Sequence, residues 1–223
     1  MTGRPELLVV IAGTGTDIGK TWVGCQLATE LRAQGLRVAA RKPVQSFDPA
    51  QGLTDADVLA EATGEPVTEV CPEHRWYPVA MAPPMAAERL GLPPFTLADL
   101  VSELHWRSGT DVGIVELAGG PGSPLAHDGD GTDLVELVRP DLVVLVTGAG
   151  LGILSDVRLA ARALGAQPLI AHLNRFDPTQ ELHERNRRWL AERDAMVVTV
   201  TAQQLASVVA AFTAGIPPPA NQR

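Results

Sequence analysis

Residues 9–24 read VVIAGTGTDIGKTWVG, an apolar run that passes through alternating Gly and Thr into Gly19-Lys20-Thr21. The common phosphate-binding pattern is G-x-x-x-x-G-K-[ST]. Here Thr14 stands where the first glycine would be and the glycine comes one place earlier, at Gly13, so the loop is one residue longer. The chemistry is still legible. Glycines let successive N–H groups converge on an anion with no Cβ in the way. A helix that begins after the loop adds partial positive charge at its N-terminus. Lys20 brings a full charge to the β- and γ-phosphates, and Thr21 offers a hydroxyl to Mg²⁺. A stray lysine after a glycine-rich turn would not require a strand before it and a helix behind it, and both are read here.

Outward from this loop, strand-length apolar runs recur at 7–12, 37–41, 112–117, 142–147, 169–173 and 196–200. Several are continuously apolar and rich in Val and Ile, as parallel strands covered on both faces are. Helical patterns separate them at 20–33, 55–62, 97–106, 131–138, 155–164, 179–193 and 202–213. This alternation predicts a doubly wound, mostly parallel sheet with helices on both faces, a three-layer α/β/α domain of the P-loop NTPase type. A length of 223 residues suits one such domain, over 1–215, with a disordered tail at 216–223. The Pro- and Met-rich segment 66–94 is expected to be an irregular excursion.

Composition narrows the function classes. The net charge of −8 argues against nucleic acid and anionic membrane as partners. It leaves a phosphate ligand open, because backbone amides bind one locally. Cys25 and Cys71 have no metal-ligand spacing and read as buried reduced thiols. The opening segment carries no basic stretch followed by a secretory apolar core, and ELLVVIAG is too short to span a bilayer, so the expectation is a cytoplasmic protein.

Two carboxylates and a second lysine fall where sheet ends would put them. Glu116 closes the apolar run VGIVE, and a carboxylate at the end of a buried strand is costly unless paired or metal-bound. Asp57 lies early in a helix, in LTDADVLAEA, where acids are also common as caps and dipole partners. Lys42 ends the second strand, and Pro43 after it forces an extended turn.

Taken together, GTGTDIGKT, KPVQS, DVLA, MAP and VELAGG resemble the dethiobiotin synthetase family, whose phosphate loop carries the same extra residue. The resemblance runs from about Leu7 to Asn174. It implies a single α/β P-loop domain working as a homodimer on 7,8-diaminopelargonate, CO₂ and ATP with Mg²⁺. It places Gly15, Thr16, Asp17, Ile18, Gly19, Lys20, Thr21 and Trp22 around the phosphates. Glu116, Gly119, Asn174 and Arg175 complete the nucleotide site, Asn174 reading the adenine. Lys42 and Lys20 become the catalytic lysines, and Ser46, with Lys42, contacts the substrate. Thr21, Asp57 and Glu116 become the metal ligands, Asp55 in place of Asp57 being the open alternative. The implied reaction is carbamate formation on one amine, phosphorylation to a carbamic-phosphoric anhydride, and ring closure by the second amine.

The chain also departs from the family pattern. Leu117 replaces a glycine after Glu116, which would put a side chain where backbone approaches the ligand. Phe47 replaces the last glycine of K-P-V-x-[ST]-G. Ser155-Asp156 stand where the family has Asn-His, and the late G-x-[IL]-P motif is missing. The nucleotide half thus matches more closely than the substrate half. An alternative is a related amide- or urea-forming P-loop ligase on another small substrate, such as a cobyrinate amidase-like enzyme. A nucleotide switch like the division-site and plasmid-partition ATPases ranks lower, because Gly15 stands where those carry a signature lysine.

Overall fold

Every residue of the first strand, β1 (Leu7–Gly13), is buried, because helices cover both of its faces. Leu8, Val10 and Ala12 enter one apolar cluster, and Leu7, Val9 and Ile11 the other. Side chains alternate across a strand with period two, so a strand between two cores must be apolar throughout. The computed structural model describes residues 3–213 and residue 215. The tail expected at 216–223 lies outside the described residues.

The remaining strands are β2 (Val38–Arg41), β3 (Gln45–Ser46), β4 (Trp76–Tyr77), β5 (Val112–Glu116), β6 (Pro124–Ala126), β7 (Gly129–Asp130), β8 (Leu142–Thr147), β9 (Leu169–Leu173) and β10 (Val197–Thr199). Six of them form one sheet in the order β10-β9-β8-β1-β5-β2, and every neighbouring pair is parallel. The helices are α1 (Lys20–Ala33), α2 (Asp55–Thr63), α3 (Val67–Val70), α4 (Pro83–Arg89), α5 (Leu97–Ser102), α6 (Gly131–Val138), α7 (Ile153–Ala163), α8 (Glu181–Arg188) and α9 (Ala202–Thr213). Val23 and Leu27 of α1, Leu59 of α2 and Leu205 of α9 pack on one face of the sheet. Leu100 of α5, Leu134 of α6 and Val157 of α7 pack on the other. The fold is the three-layer α/β/α sandwich read from the sequence.

From β1 the chain runs to the edge strand β2, returns to β5, and then crosses β1 to reach β8. The carboxyl end of β1 therefore lies at the point where strand order reverses, which is where open α/β sheets bind ligands.

Some element boundaries differ from the sequence reading. The helix expected over 97–106 ends at Ser102. Glu103 pairs with Arg75 at 2.6 Å, the His105 carbonyl accepts from Arg41 Nε at 2.6 Å, and Trp106 is buried under the Arg41 guanidinium. Three tertiary contacts win over one more turn of helix. The helix expected from 179 starts at Glu181, because Asp177 Oδ1 accepts from the Thr179 amide at 2.9 Å and holds a turn there. It then passes into a π-helical turn, Trp189–Arg193. The excursion 66–94 contains α3, α4 and β4, with β4 pairing β3 outside the main sheet. Both cysteines are free and buried. Among the described residues, no helix is long and apolar enough to cross a membrane.

One buried titratable group makes folding pH-sensitive. His172 on β9 is buried with Nδ1 at 2.9 Å from Thr199 Oγ1, and burial pushes its pKa down to about 4. The unfolded chain binds the proton more readily, so stability is complete above the unfolded value and is lost as pH falls from about 6.5 towards 4. The loss amounts to ~3 kcal/mol. Urea titrations of wild type and His172→Val over that range should show a shallower slope in the variant, the difference being the contribution of this imidazole.

Candidate active site

The loop after β1 is shaped by two glycines. A Cβ on Gly13 would lie 2.8 Å from Ile18 Cγ2 and 2.9 Å from Lys20 Cδ. Only a bare backbone lets the Lys20 stem fold back over the strand end. Gly19 has φ 93°, and a side chain there would collide with Asn174 Nδ2. Asp17 is also left-handed, with φ 56°, a conformation that turns successive N–H groups towards a common point. Lys20 Nζ donates to the Gly15 carbonyl at 2.9 Å. Burial, and then the nearby Lys42, lower the pKa of this ammonium.

Helix α1 starts with no side-chain cap. Its first intrahelical bond runs from Val23 N–H to the Gly19 carbonyl at 3.0 Å, which leaves the amides of Lys20, Thr21 and Trp22 facing out of the helix end. A helix start built this way is able to receive an anion. Trp22 offers its amide only, since its side chain is exposed and does not line the cleft.

Beside the loop, three elements bring charges together. Lys42, one residue beyond β2, lies 2.5 Å from Glu116 Oε1 at the end of β5 and 2.8 Å from Asp55 Oδ2 at the start of α2. Thr21 Oγ1 lies 2.8 Å from both Asp55 Oδ1 and Glu116 Oε1. A hydroxyl has one proton and cannot donate to both at once. Glu116 Oε2 is buried with no hydrogen-bond partner, the sole such side-chain atom among the described residues. Burial pushes the Glu116 carboxyl above its ordinary range. Burial acts in the same direction on Asp55, but the Lys42 ammonium overrides it and holds Asp55 below the usual value. Burial works to lower Lys42, and the Glu116 and Asp55 carboxylates outweigh it and hold Lys42 above the ordinary lysine value.

These donors fit Mg²⁺. They are hard oxygens, and one buried carboxylate oxygen is waiting for a partner. No group of three His, Cys, Asp or Glu able to hold a metal occurs among the described residues. Two carboxylates and a hydroxyl therefore need phosphate oxygens or water to complete a shell, as Mg²⁺ sites commonly do.

Asp57 is not part of this cluster. Its Oδ2 accepts from the Thr54 amide at 2.8 Å and the Thr54 hydroxyl at 2.7 Å, closing the capping box of α2. Asp55, in the first turn of the same helix, is the residue that faces Thr21. The signal was present in the sequence: Thr54-x-x-Asp57 is a capping-box pattern, which commits Asp57 to the helix end. Gln45, which the sequence reading passed over, anchors the same helix. Its Oε1 accepts from the Ala56 amide at 3.1 Å and its Nε2 donates to Thr54 Oγ1 at 3.3 Å. Asp57→Ala is accordingly expected to cost about 0.5–2 kcal/mol of stability with ATP turnover kept. Asp55→Asn should keep the fold and raise the Mg²⁺ concentration for half-maximal turnover by on the order of 10–100-fold. Melting curves and Mg²⁺ titrations of the two variants check the pair.

The other expected residues divide. Gly15, Ile18 and Gly19 build the loop. Thr16, Asp17, Ser46, Gly119 and Arg175 line a cleft of about 700 Å³ with the charged cluster. Gly119, with φ 72°, turns the chain so that the Gly120 amide donates to Ser123 Oγ at 2.9 Å. Asn174 does not line the cleft. Its Nδ2 donates to the Ile18 carbonyl at 2.9 Å, and its Oδ1 accepts from the Arg175 amide at 3.0 Å. It braces the loop against the end of β9, so any base-reading role has to share the amide with that brace. Leu117 overturns the obstruction expected of it. Its side chain is buried in the apolar core beneath α6, so the backbone after Glu116 stays clear.

Comparison with known proteins follows this geometry. The family described as an AAA domain matches residues 8–182. The ATP-dependent dethiobiotin synthetase BioD of Caulobacter vibrioides is 43% identical over 71% of this chain and 74% of its own length. The protein of that name from Xanthomonas campestris pv. campestris is 35% identical over 83% and 86%. Among solved structures, a plasmid partition protein from Borrelia burgdorferi aligns with a TM-score of 0.55 over 96% of each chain, at 14% identity. That last likeness is one of fold alone.

Proposed function

The chain belongs to the ATP-dependent dethiobiotin synthetase family, and on that premise we propose how its residues divide the work. It is an ATP- and Mg²⁺-dependent ligase that carboxylates 7,8-diaminopelargonate with CO₂ and closes the ureido ring. The observation that carries the reading is the buried, unpartnered Glu116 Oε2 beside Thr21, at the foot of the phosphate loop.

The free amides of α1 and the Lys20 ammonium hold the phosphates. Thr21, Asp55 and Glu116 would hold Mg²⁺. When bound, Mg²⁺ supplies the positive charge that phosphoryl transfer needs at the phosphate oxygens. One substrate amine attacks CO₂ and loses a proton to solvent, giving a carbamate. The carbamate oxygen attacks the γ-phosphorus, the bond to the bridging oxygen breaks, and ADP leaves. The second amine then attacks the carbamoyl carbon, loses its proton, and expels phosphate. Lys42 neutralises the carbamate and the transferred phosphoryl group, which are anionic in both steps. Ser46 donates its hydroxyl proton to the Met81 carbonyl at 2.5 Å, so its lone pairs are free to accept from the substrate amine. Acceleration comes from positioning and charge stabilisation, and no side chain forms a covalent bond.

The test is incubation with diaminopelargonate, bicarbonate and Mg²⁺-ATP, with ADP and ring-closed product followed by mass. ATP binding without that product overturns the reading. We also propose that the chain works as a homodimer. Support comes from Leu151, 91% exposed just before α7, and Leu159, 60% exposed on it, an apolar pair that a second copy would cover. A light-scattering mass of one chain at all concentrations would reject this.

A further inference from the structure

The wall of the cleft has two kinds of chemistry. One part carries Lys20, Lys42, Asp55 and Glu116, and another is made by Phe47, Leu53 and Met81. Leu53 is 71% exposed and Met81 42% exposed. Single exposed apolar residues are ordinary. Two of them beside the half-buried Phe47 on one concave surface, continuous with a charged site, make a place for the apolar part of a ligand.

The segment that carries Phe47 is held in place. The Phe47 amide donates to the Tyr77 carbonyl at 3.0 Å. The adjacent Ser46 hydroxyl ties it to the Met81 carbonyl, so two parts of the apolar wall are stitched to each other. The sequence pattern of the family has glycine at this place, so the ring of Phe47 is a feature of this chain. Among the described residues, the cations on the cleft wall are Lys20, Lys42 and Arg175. The first two belong to the charged cluster, and Arg175 reaches the Asp17 carbonyl on the phosphate loop at 3.4 Å. None stands with Phe47, whereas Asp48 directly follows it on the cleft wall. That stretch of wall suits methylenes and disfavours a carboxylate.

We propose that Phe47, with Leu53 and Met81, packs against the aliphatic chain of the diamino acid, and that Phe47 sets the chain length the enzyme accepts. The inference rests on the functional reading above and adds a specificity determinant to it. The amines must reach Lys42 for the chemistry, and the methylene run beside them then lies along the apolar wall of the same cleft. Burying methylenes there changes apparent affinity by roughly fourfold for each one.

The test is a matrix of KM and kcat values. Diamino acids two methylenes shorter than, equal to and two methylenes longer than diaminopelargonate are compared with wild type, Phe47→Gly, Phe47→Leu and Leu53→Ala. Wild type should favour the nine-carbon acid. Phe47→Gly should raise its KM by about tenfold or more, flatten the length preference, and leave kcat and the KM for ATP near wild type. Phe47→Leu should fall between, and Leu53→Ala should raise KM severalfold. Unchanged KM values and an unchanged length profile in Phe47→Gly and Leu53→Ala overturn the inference while the functional reading stands. Wild type that binds ATP yet converts none of the acids removes that reading, and the inference falls with it. If Phe47→Gly fails to fold, seen as a lost KM for ATP, the mostly exposed Leu53 position and Phe47→Leu decide the question.

Discussion

Lys20→Ala is expected to abolish ATP turnover, with kcat/KM falling on the order of 10³-fold or more. The side chain stems from the first residue of α1, and its ammonium is held at the Gly15 carbonyl, over the mouth of the loop. Phosphoryl transfer spreads negative charge over the γ-phosphate oxygens, and a positioned cation there costs no reorganisation during the reaction. Alanine is a good helix former, so the substitution leaves α1 intact. The loss therefore reports chemistry and not unfolding. Lys20→Arg should recover little. The stem packs within 2.9 Å of where a Gly13 Cβ would be, and a planar guanidinium does not replace a compact ammonium in so tight a turn. Release of ADP at saturating Mg²⁺, together with a melting curve for the variant, makes the measurement. Turnover retained by Lys20→Ala would sink the phosphate-loop assignment.

The second large effect is expected at Lys42. Its side chain is 2% exposed and touches both Asp55 and Glu116. Lys42→Met keeps the length and removes the charge, leaving a buried Glu116 carboxylate with no cation against it. Breaking a buried pair this way costs about 3–5 kcal/mol. The metal-free variant should melt well below wild type, and added Mg²⁺ should raise its melting temperature by more than it raises that of wild type, since the cation replaces a charge that the variant lacks. Activity should fall by about 10²–10³-fold, because the anionic carbamate also loses its partner. Equal melting temperatures for the two metal-free proteins would show that Lys42 does not compensate Glu116. Differential scanning calorimetry with and without Mg²⁺ reads the stability arm, and ADP release reads the other.

Much of the fold was open to a reader of the chain. The runs at 142–147 and 169–173 coincide with β8 and β9, because a strand buried on both faces has to be apolar without interruption. Helix α1 was bounded correctly by its loop on one side and the turn at Gly35 on the other. The site was less legible. Asp55 and Asp57 are both acids in the first turn of one helix, and composition alone does not say which way each points. The capping box takes one and leaves the other to meet Thr21, 34 residues away. From sequence Leu117 reads as an obstruction, because the chain alone does not show that its side chain turns into the core. The stretch 97–106 has the pattern of a longer helix, yet Glu103, His105 and Trp106 each meet a partner from another part of the chain.

The primary sequence by itself determined the loop after β1, the candidate anion cradle, since Gly13, Gly19, Lys20 and Thr21 act through local backbone geometry that their spacing specifies. Tertiary structure decided the cluster of Lys42, Asp55 and Glu116. Lys42 and Glu116 lie 74 residues apart and meet because β2 pairs in parallel with β5, which brings their carboxyl ends side by side. The charges offset one another only in that register, and no local pattern in the chain encodes it.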